Sequence, residues 1–313
     1  MTRPSARTGF VLGIVGAALY VAGATVIPYA SKADSSPGPS TLFGQYLRAR
    51  SFMGMGTWLA VMVFIFGVAL IVLVISIAGL RSERGGRWAL GLLGASSIWF
   101  LQVLAELVVI TRFPIPLSWP GARAMDLGIC LGFAGGAIAW NSLRATHHVD
   151  SVEGAAPPAS APSAPTGFFL ALGGAILYVA VSFLPFSRPT RSAFNGLGLA
   201  PSQVAKAIQS HTLARGLLGN GVIGAFQRFP MVYGSALIVG IFAFVGLRGL
   251  RQDRCSAALL GAAAAWATAA PIQLFNSHIV RLVGLWGAQL AIGIALIGGI
   301  VAVTQNHGPN QAG

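Results

Sequence analysis

Apolar residues in this chain fall into runs of about twenty, separated by short segments rich in Arg, Gly and Pro. Clear examples run from Phe10 to Pro28, from Leu59 to Leu80 and from Trp88 to Ile110. At 1.5 Å per helical residue, such a run matches a hydrocarbon core about 30 Å thick. The pattern predicts an all-α integral membrane protein of about eight transmembrane helices.

The runs repeat. TGFVLGIVGAALYVAG from Thr8 aligns with TGFFLALGGAILYVAV from Thr166, and FGVALIV from Phe66 aligns with YGSALIV from Tyr233. Without a gap the second match continues into GLRSERGGR at Gly79 against GLRGLRQDR at Gly246, and LLGASSIW at Leu92 against LLGAAAAW at Leu259. Each copy then holds four spans, near 8–29, 57–80, 88–110 and 125–143, and near 167–186, 230–247, 256–275 and 285–304. An even number per copy inserts both in one orientation, so two tandem, parallel-oriented four-helix repeats are expected about an axis along the membrane normal. The organisation predicted is a first membrane unit over 1–143, a Pro/Ala/Ser-rich cytoplasmic linker over 144–166 and a second unit over 167–313. The linker has no periodic apolar face to bury and reads as flexible or partly extended.

Composition supports lipid as the solvent: 9% of residues are charged and 55% apolar, against roughly 25% charged in a soluble domain. The formal charge of +13 comes almost entirely from arginines in the short connections, since Lys32 and Lys206 are the only lysines. Anionic lipid headgroups are therefore the expected partner, with a protein partner or homo-oligomer possible and nucleic acid not expected. Heavy use of Ala, Gly and Arg points to a bacterium and so to its cytoplasmic (inner) membrane. The two GLRxxRxxR loops, with Arg81, Arg84, Arg87 and Arg248, Arg251, Arg254, are short enough to set orientation and place both termini in the cytoplasm. The N-terminal run resembles a signal peptide, but its copy at Thr166 lies where none can be, so it is read as a retained span. Cys130 and Cys255 are read as unpaired.

Small residues recur at every fourth position of the fourth span of each copy, Ala124, Gly128, Gly132 and Gly136 matched by Gly287, Ala291, Ala295 and Gly299. In lipid such a stripe lets backbones approach, and the expectation is packing of span four against span eight near the axis. Before each second span stands a shared ARxxxGxG, which makes Arg50 and Arg215 candidates for binding an anionic headgroup or for closing the turn. Pro201 marks the start of a short amphipathic helix, VAKAIQ and onward, at the membrane surface.

Two carboxylates lie near the spans, Glu106 and Asp126, and their repeat partners are Gln273 and Gln289. A charge in a span costs at least about 2.5 kcal/mol at the helix centre, so each needs a reason. An ion pair with Arg50 at the outer interface is the favoured reading, with cation or proton binding as the functional alternative. Ser96, Trp99, Gln102 and Glu106 share one sector of the third span. Pro271 interrupts span seven and is read as a kink.

No span holds a mid-membrane His or a Lys, and the phosphate-loop, zinc-protease and serine-elbow motifs are missing from the sequence. No catalytic residue, cofactor or metal is expected. The favoured reading is a non-catalytic accessory or binding subunit that engages protein partners or anionic lipid. The alternative is a small-solute transporter or channel with its path between the repeats, lined by Gln102, Glu106, Gln273 and Gln289.

Overall fold

The computed structural model describes residues 5–28, 41–44, 47, 55–82, 85–110, 120–150, 165–184, 187–189, 201–206, 221–248, 252–271, 279–281 and 283–305. Eight helices of sixteen residues or more organise them: α1 Ala6–Thr25, α2 Met55–Arg81, α3 Gly85–Ile110, α4 Pro120–Asp150, α5 Thr166–Val181, α6 Gly221–Leu247, α7 Gln252–Ala267 and α8 Val283–Gln305. Five of these, α1 to α4 and α8, contain stretches long and apolar enough to cross a membrane. Two three-residue strands, β1 Ser187–Pro189 and β2 Ile279–Arg281, pair antiparallel with Ser187 opposite Arg281 and Arg188 opposite Val280.

Helix ends follow local chemistry. At α1 the Ser5 hydroxyl accepts from the Thr8 N–H at 3.4 Å, satisfying one orphan donor of the first turn. Past its other end the Pro28 carbonyl accepts from the Gly121 N–H at 2.9 Å, which ties the end of α1 to the start of α4. Pro120 opens α4, where its missing N–H would have had no intrahelical partner.

Three boundaries differ most from the sequence expectation, the first being the start of α6 at Gly221, nine residues before the expected 230. Helix α4 runs on to Asp150, so the first residues of the supposed linker are helical, while 151–164 lie outside the described residues. Span seven is interrupted by a turn over 268–269, and residues 270–271 are helical again. The Pro271 ring would clash with the carbonyl of residue 267, and α7 ends at Ala267, four residues before the proline. Its last turn tightens, with Thr268 and Ala269 N–H groups donating to Ala265 and Trp266 and the Thr268 hydroxyl donating to Ala265 O at 2.8 Å.

Within the first half, α1 and α4 meet along glycine. Gly9 lies on Gly135 and Ala139, and a Cβ on Gly16 would stand 2.5 Å from the Gly128 carbonyl oxygen. Gly23 is seated on Gly121 and Met125. These positions recur every seven residues on both helices and pair in opposite chain directions, the spacing of a left-handed antiparallel pair. The second half has the corresponding contacts: Gly167 on Gly298 and Ala302, Gly174 on Ala291 and Ala295, and Val181 on Gly287.

Other contacts also recur at aligned positions. The Phe10 ring covers Gly79 and the Phe168 ring covers Gly246. Tyr20 packs edge-on to Trp99 with centroids 4.9 Å apart, and Tyr178 to Trp266 at 4.8 Å. Such edge-to-face pairs add to the value of burying the rings.

One pair is built differently in the two halves. Ser76 of α2, fully buried, fills the place where a Cβ of Gly13 would be, and its Oγ has no hydrogen-bond partner. The aligned residues are Ala171 and Ala243, both fully buried. Gly with Ser and Ala with Ala are two ways to fill similar space. Gly13→Ala alone is therefore expected to cost about 1–3 kcal/mol by overpacking. Ser76→Ala alone should be near neutral, since it removes an unsatisfied hydroxyl, and the double variant should regain most of the loss. Thermal melts of the four proteins in one detergent check this; a double variant no better than Gly13→Ala contradicts it.

The halves meet through α3 and α7. Gly94 of α3 lies on the Ala258 carbonyl and Gly261 of α7 on the Gly91 carbonyl, a reciprocal contact between aligned positions. It is framed by a second reciprocal pair, Gly67 against Thr268 and Gly234 against Leu101. This corrects the expected packing of span four on span eight: α4 packs on α1 and α3, and α8 on α5 and α7.

The Phe10–Gly79 and Phe168–Gly246 contacts place the starts of α1 and α5 beside the ends of α2 and α6. Arg254, at the start of α7, lies over the Trp140 ring near the end of α4, 6.0 Å from its centroid.

Burial matches this arrangement. On α3 only Trp88 and Leu104 are exposed among the residues whose side chains are described, and on α7 none is. The six outer helices instead turn large apolar groups outward, among them Val11, Leu70, Leu127, Ile176, Leu237 and Leu290. Small residues lie inside and branched ones outside, as expected where lipid and protein interior are equally apolar.

Candidate functional site

Among the described residues, the small polar side chains that are buried are serines, Ser76, Ser96, Ser182, Ser235 and Ser256, and Tyr20 and Tyr178 are buried beside them; the Oε1 atom of half-buried Gln289 is buried as well. No charged side chain is buried among the described residues. The polar sector predicted on α3 is divided by packing. Ser96 touches Gly136 and donates to the Leu93 carbonyl at 3.2 Å, while Trp99 lies on Gly132 and against Tyr20. Both face the interior of their own half. Gln102 and Asp126 are half-buried, on α3 and α4, and Gln289 is half-buried on α8. Glu106 belongs to α3 by its backbone, with its side chain outside the described residues. Arg50, Arg215 and Gln273 also lie outside them, so the expected Arg50 ion pair falls there too.

The small-residue stripe is placed residue by residue. Gly128 and Gly132 contact α1 through Gly16, and Gly136 faces Leu93 and Ser96 of α3. Ala124 is only half-buried. In the second half Gly287 faces Val181, Ala291 and Ala295 receive Gly174, and Gly299 meets Leu260 of α7. Each of these close approaches is internal to one half. Neither Cys130 nor Cys255 forms a disulfide.

Sequence reading misses one polar feature, at the end of the bundle opposite the arginine turns. Ser182, fully buried just past α5, donates to the Val179 carbonyl at 2.6 Å. Its single proton being used there, it accepts from the Tyr233 hydroxyl at 2.7 Å. The aligned residues in the first half are Ala24 and Phe66, so two apolar positions have become polar together. Comparing the repeats position by position would have exposed this. Tyr233→Phe should cost about 0.5–1.5 kcal/mol. The double variant Ser182→Ala/Tyr233→Phe, which restores the first-half pair, should cost less than the sum of the single changes. Melts of the three variants test this; strict additivity would rule out the coupling.

Just beyond this pair, β1 and β2 join the segment between α5 and α6 to the segment between α7 and α8. The register puts Arg188 and Arg281 on adjacent rungs of the ladder. Residues 201–206 are helical from Pro201, as expected, with Val204 half-buried and Lys206 exposed. At the opposite end the Arg248 guanidinium sits 4.6 Å from the Phe244 ring centroid. That stacking stabilises the guanidinium beside the end of α6.

No metal-competent cluster of His, Cys, Asp and Glu occurs among the described residues. Comparison with family models, with curated proteins and with solved structures yields no match to this chain.

Proposed function

We propose that the chain is a tandem duplication of a four-span unit, crosses the membrane eight times, and acts as a non-catalytic accessory or binding subunit for a membrane protein partner. The observation that carries this reading is the contact between the halves. At the α3–α7 crossing, glycines lie on the carbonyls of the facing helix, at Gly94 with Ala258 and Gly261 with Gly91. A solute path between the halves would need that contact open. The lack of any buried charged side chain among the described residues agrees, because a transporter's midplane site is ordinarily lined by broken helices and polar or charged groups.

The eight-span count rests on the aligned sequence and on the matching contacts. Helices α5 and α7 have sixteen residues each, about 24 Å of rise. Local thinning of the bilayer and interfacial flanks accommodate that length. The arginine-rich turns share an end with both chain termini, and by the positive-inside rule that end is cytoplasmic in a bacterial inner membrane.

Native mass spectrometry of the protein extracted in mild detergent from its own membrane tests the functional reading. A stoichiometric protein partner is the expected result. Recovery without one, together with solute flux through proteoliposomes, would replace it with the transporter reading.

A further inference from the structure

We infer that the face joining the two halves is self-complementary, so that a half whose partner face is blocked pairs with the same half of a second copy of this chain. The inference rests on the reading of the chain as a tandem duplication and adds to it what each unit recognises.

Reciprocity at the α3–α7 crossing is the first argument. Positions 67, 91, 94 and 101 of the first half align, at one constant offset, with 234, 258, 261 and 268 of the second. Gly94 lies on the Ala258 carbonyl, and the aligned Gly261 lies on the Gly91 carbonyl. Gly67 faces Thr268, and the aligned Gly234 faces Leu101. Wherever a position on one half meets a position on the other, the exchanged pair meets as well. That is the rule of a twofold homodimer interface, and two unlike surfaces have no reason to obey it.

The second argument is that each contact needed for self-pairing is already made once. Between two first halves, Gly94 would lie on the Gly91 carbonyl, as Gly261 does, and Gly67 would face Leu101, as Gly234 does. Between two second halves, Gly261 would lie on the Ala258 carbonyl, as Gly94 does, and Gly234 would face Thr268, as Gly67 does. At these positions neither pairing meets a side chain that the crossing does not already hold. Four spans per half insert two copies of either half in one orientation, so they can meet within one membrane. In the wild-type chain each face is covered by the other half, and the covalent link gives that internal partner a high effective concentration.

One contact ranks the two self-pairings. Arg254 lies over the Trp140 ring, 6.0 Å from its centroid. Arg87 is aligned with Arg254, whereas Val303 is aligned with Trp140. A pair of first halves would hold two guanidinium–indole contacts of this kind, the closed chain holds one, and a pair of second halves would hold none.

The test uses the full chain in a neutral detergent. Gly261→Val blocks the second-half face and leaves every first-half residue in place, and Gly94→Val does the converse. By native mass spectrometry the wild-type protein and the Gly94→Val/Gly261→Val variant should share one oligomeric state, and each single variant should have twice that mass. The Gly261→Val dimer should be tighter than the Gly94→Val dimer by about fivefold or more, and Trp140→Leu should weaken the first without changing the second. In a background without native thiols, Gly67→Cys/Leu101→Cys added to Gly261→Val should link two chains on mild oxidation, and the same two substitutions in an otherwise wild-type chain should not. Folded single variants with the mass of the wild-type protein would overturn the inference, as would a Gly261→Val dimer that the two cysteines fail to link. Should valine prevent folding, Ala258→Gly/Thr268→Leu gives both faces the first-half residues at these positions. That chain should melt within a few degrees of wild type, and its halves should co-elute after cleavage at a protease site inserted after residue 155; separated halves would overturn self-complementarity. Cleaved Gly261→Val halves that stay together would instead overturn the inference through its premise, the crossing itself. A protein partner in the host membrane is sought with wild-type protein alone, so the subunit reading fails separately.

Discussion

Gly16→Val and Gly128→Val are each expected to abolish recovery of folded, monodisperse protein. A Cβ on Gly16 would stand 2.5 Å from the Gly128 carbonyl oxygen and 2.7 Å from the Gly132 nitrogen. One on Gly128 would stand 2.6 Å from the Gly16 carbonyl oxygen and 2.8 Å from the Tyr20 nitrogen. The obstacles are backbone atoms, so no side-chain rotation relieves them, and a β-branched residue adds a second methyl at the same place. Overpacking a core costs about 1–3 kcal/mol when side chains can yield, and here the helices themselves must separate. Set against a total stability of about 5–15 kcal/mol, a loss beyond that range leaves little folded protein. Glycine content alone does not produce this sensitivity. A Cβ on Gly173 or on Gly293 meets nothing within 4 Å. Gly173→Ala and Gly293→Ala should therefore be tolerated, and should raise stability by up to about 1 kcal/mol through helix propensity. Size-exclusion profiles and melts of the four variants decide the matter. Equal effects at Gly16 and Gly173 would contradict the α1–α4 seam.

Gly94→Val and Gly261→Val should part the two halves without unfolding either. Each places a side chain against a carbonyl of the facing helix, Ala258 in one case and Gly91 in the other. Each also loosens the flanking Gly67–Thr268 and Gly234–Leu101 contacts. Because the contact is reciprocal, the two variants should lose similar stability, about 3 kcal/mol or more. The double variant should lose less than the sum, since helices already apart no longer clash. A protease site inserted after residue 155 provides the readout. After cleavage the halves of the otherwise wild-type protein should co-elute, and those of either variant should separate. Continued co-elution would mean that α3 and α7 do not hold the halves together.

Much of this arrangement is written in the sequence, and the part that is not has a physical cause. The eight apolar runs coincide with eight helices, and most limits agree within a few residues, because an uninterrupted apolar run in lipid has only the helix with which to satisfy its backbone. Limits fail where a proline interrupts a helix, as at the turn before Pro271, or where a helix extends past its apolar run, as in α4 beyond residue 143 and in α6 from Gly221.

The choice of interface is harder to read. Apolar character cannot separate a lipid-facing position from a buried one when both surroundings are apolar, so residue size must serve instead. On α4 two small-residue patterns overlap at Gly128, one at every fourth residue and one at every seventh. The seven-residue pattern, Gly121, Gly128 and Gly135, has a partner on α1 in Gly9, Gly16 and Gly23, and this is the pair that packs. The four-residue pattern suggests contact between α4 and α8, but its members are already occupied by α1, α3, α5 and α7. The α3–α7 crossing uses Gly91 and Gly94 with Ala258 and Gly261, whose importance depends on which helices become neighbours.

The candidate site shows the same division. The segments that form β1 and β2 lie far apart in sequence, and nothing in either foretells their pairing. The Ser182–Tyr233 pair, by contrast, stands out once the repeats are compared at Ala24 and Phe66.

Disulfide trapping tests the central contact most directly. In a background without native thiols, Gly67→Cys/Thr268→Cys and Leu101→Cys/Gly234→Cys each join one half to the other beside the α3–α7 crossing. A Cβ on Gly67 lies 3.1 Å from the Thr268 Cβ, within a small adjustment of the roughly 3.5–4.5 Å separation that a disulfide requires. Both pairs should link on mild oxidation in native membranes, while a control chain that retains Cys130 as its one native thiol and carries Gly293→Cys, on the two fourth helices, should stay reduced. Rapid linkage of Cys130 to position 293, with the two crossing pairs unlinked, would contradict the arrangement and move the meeting of the halves to α4 and α8.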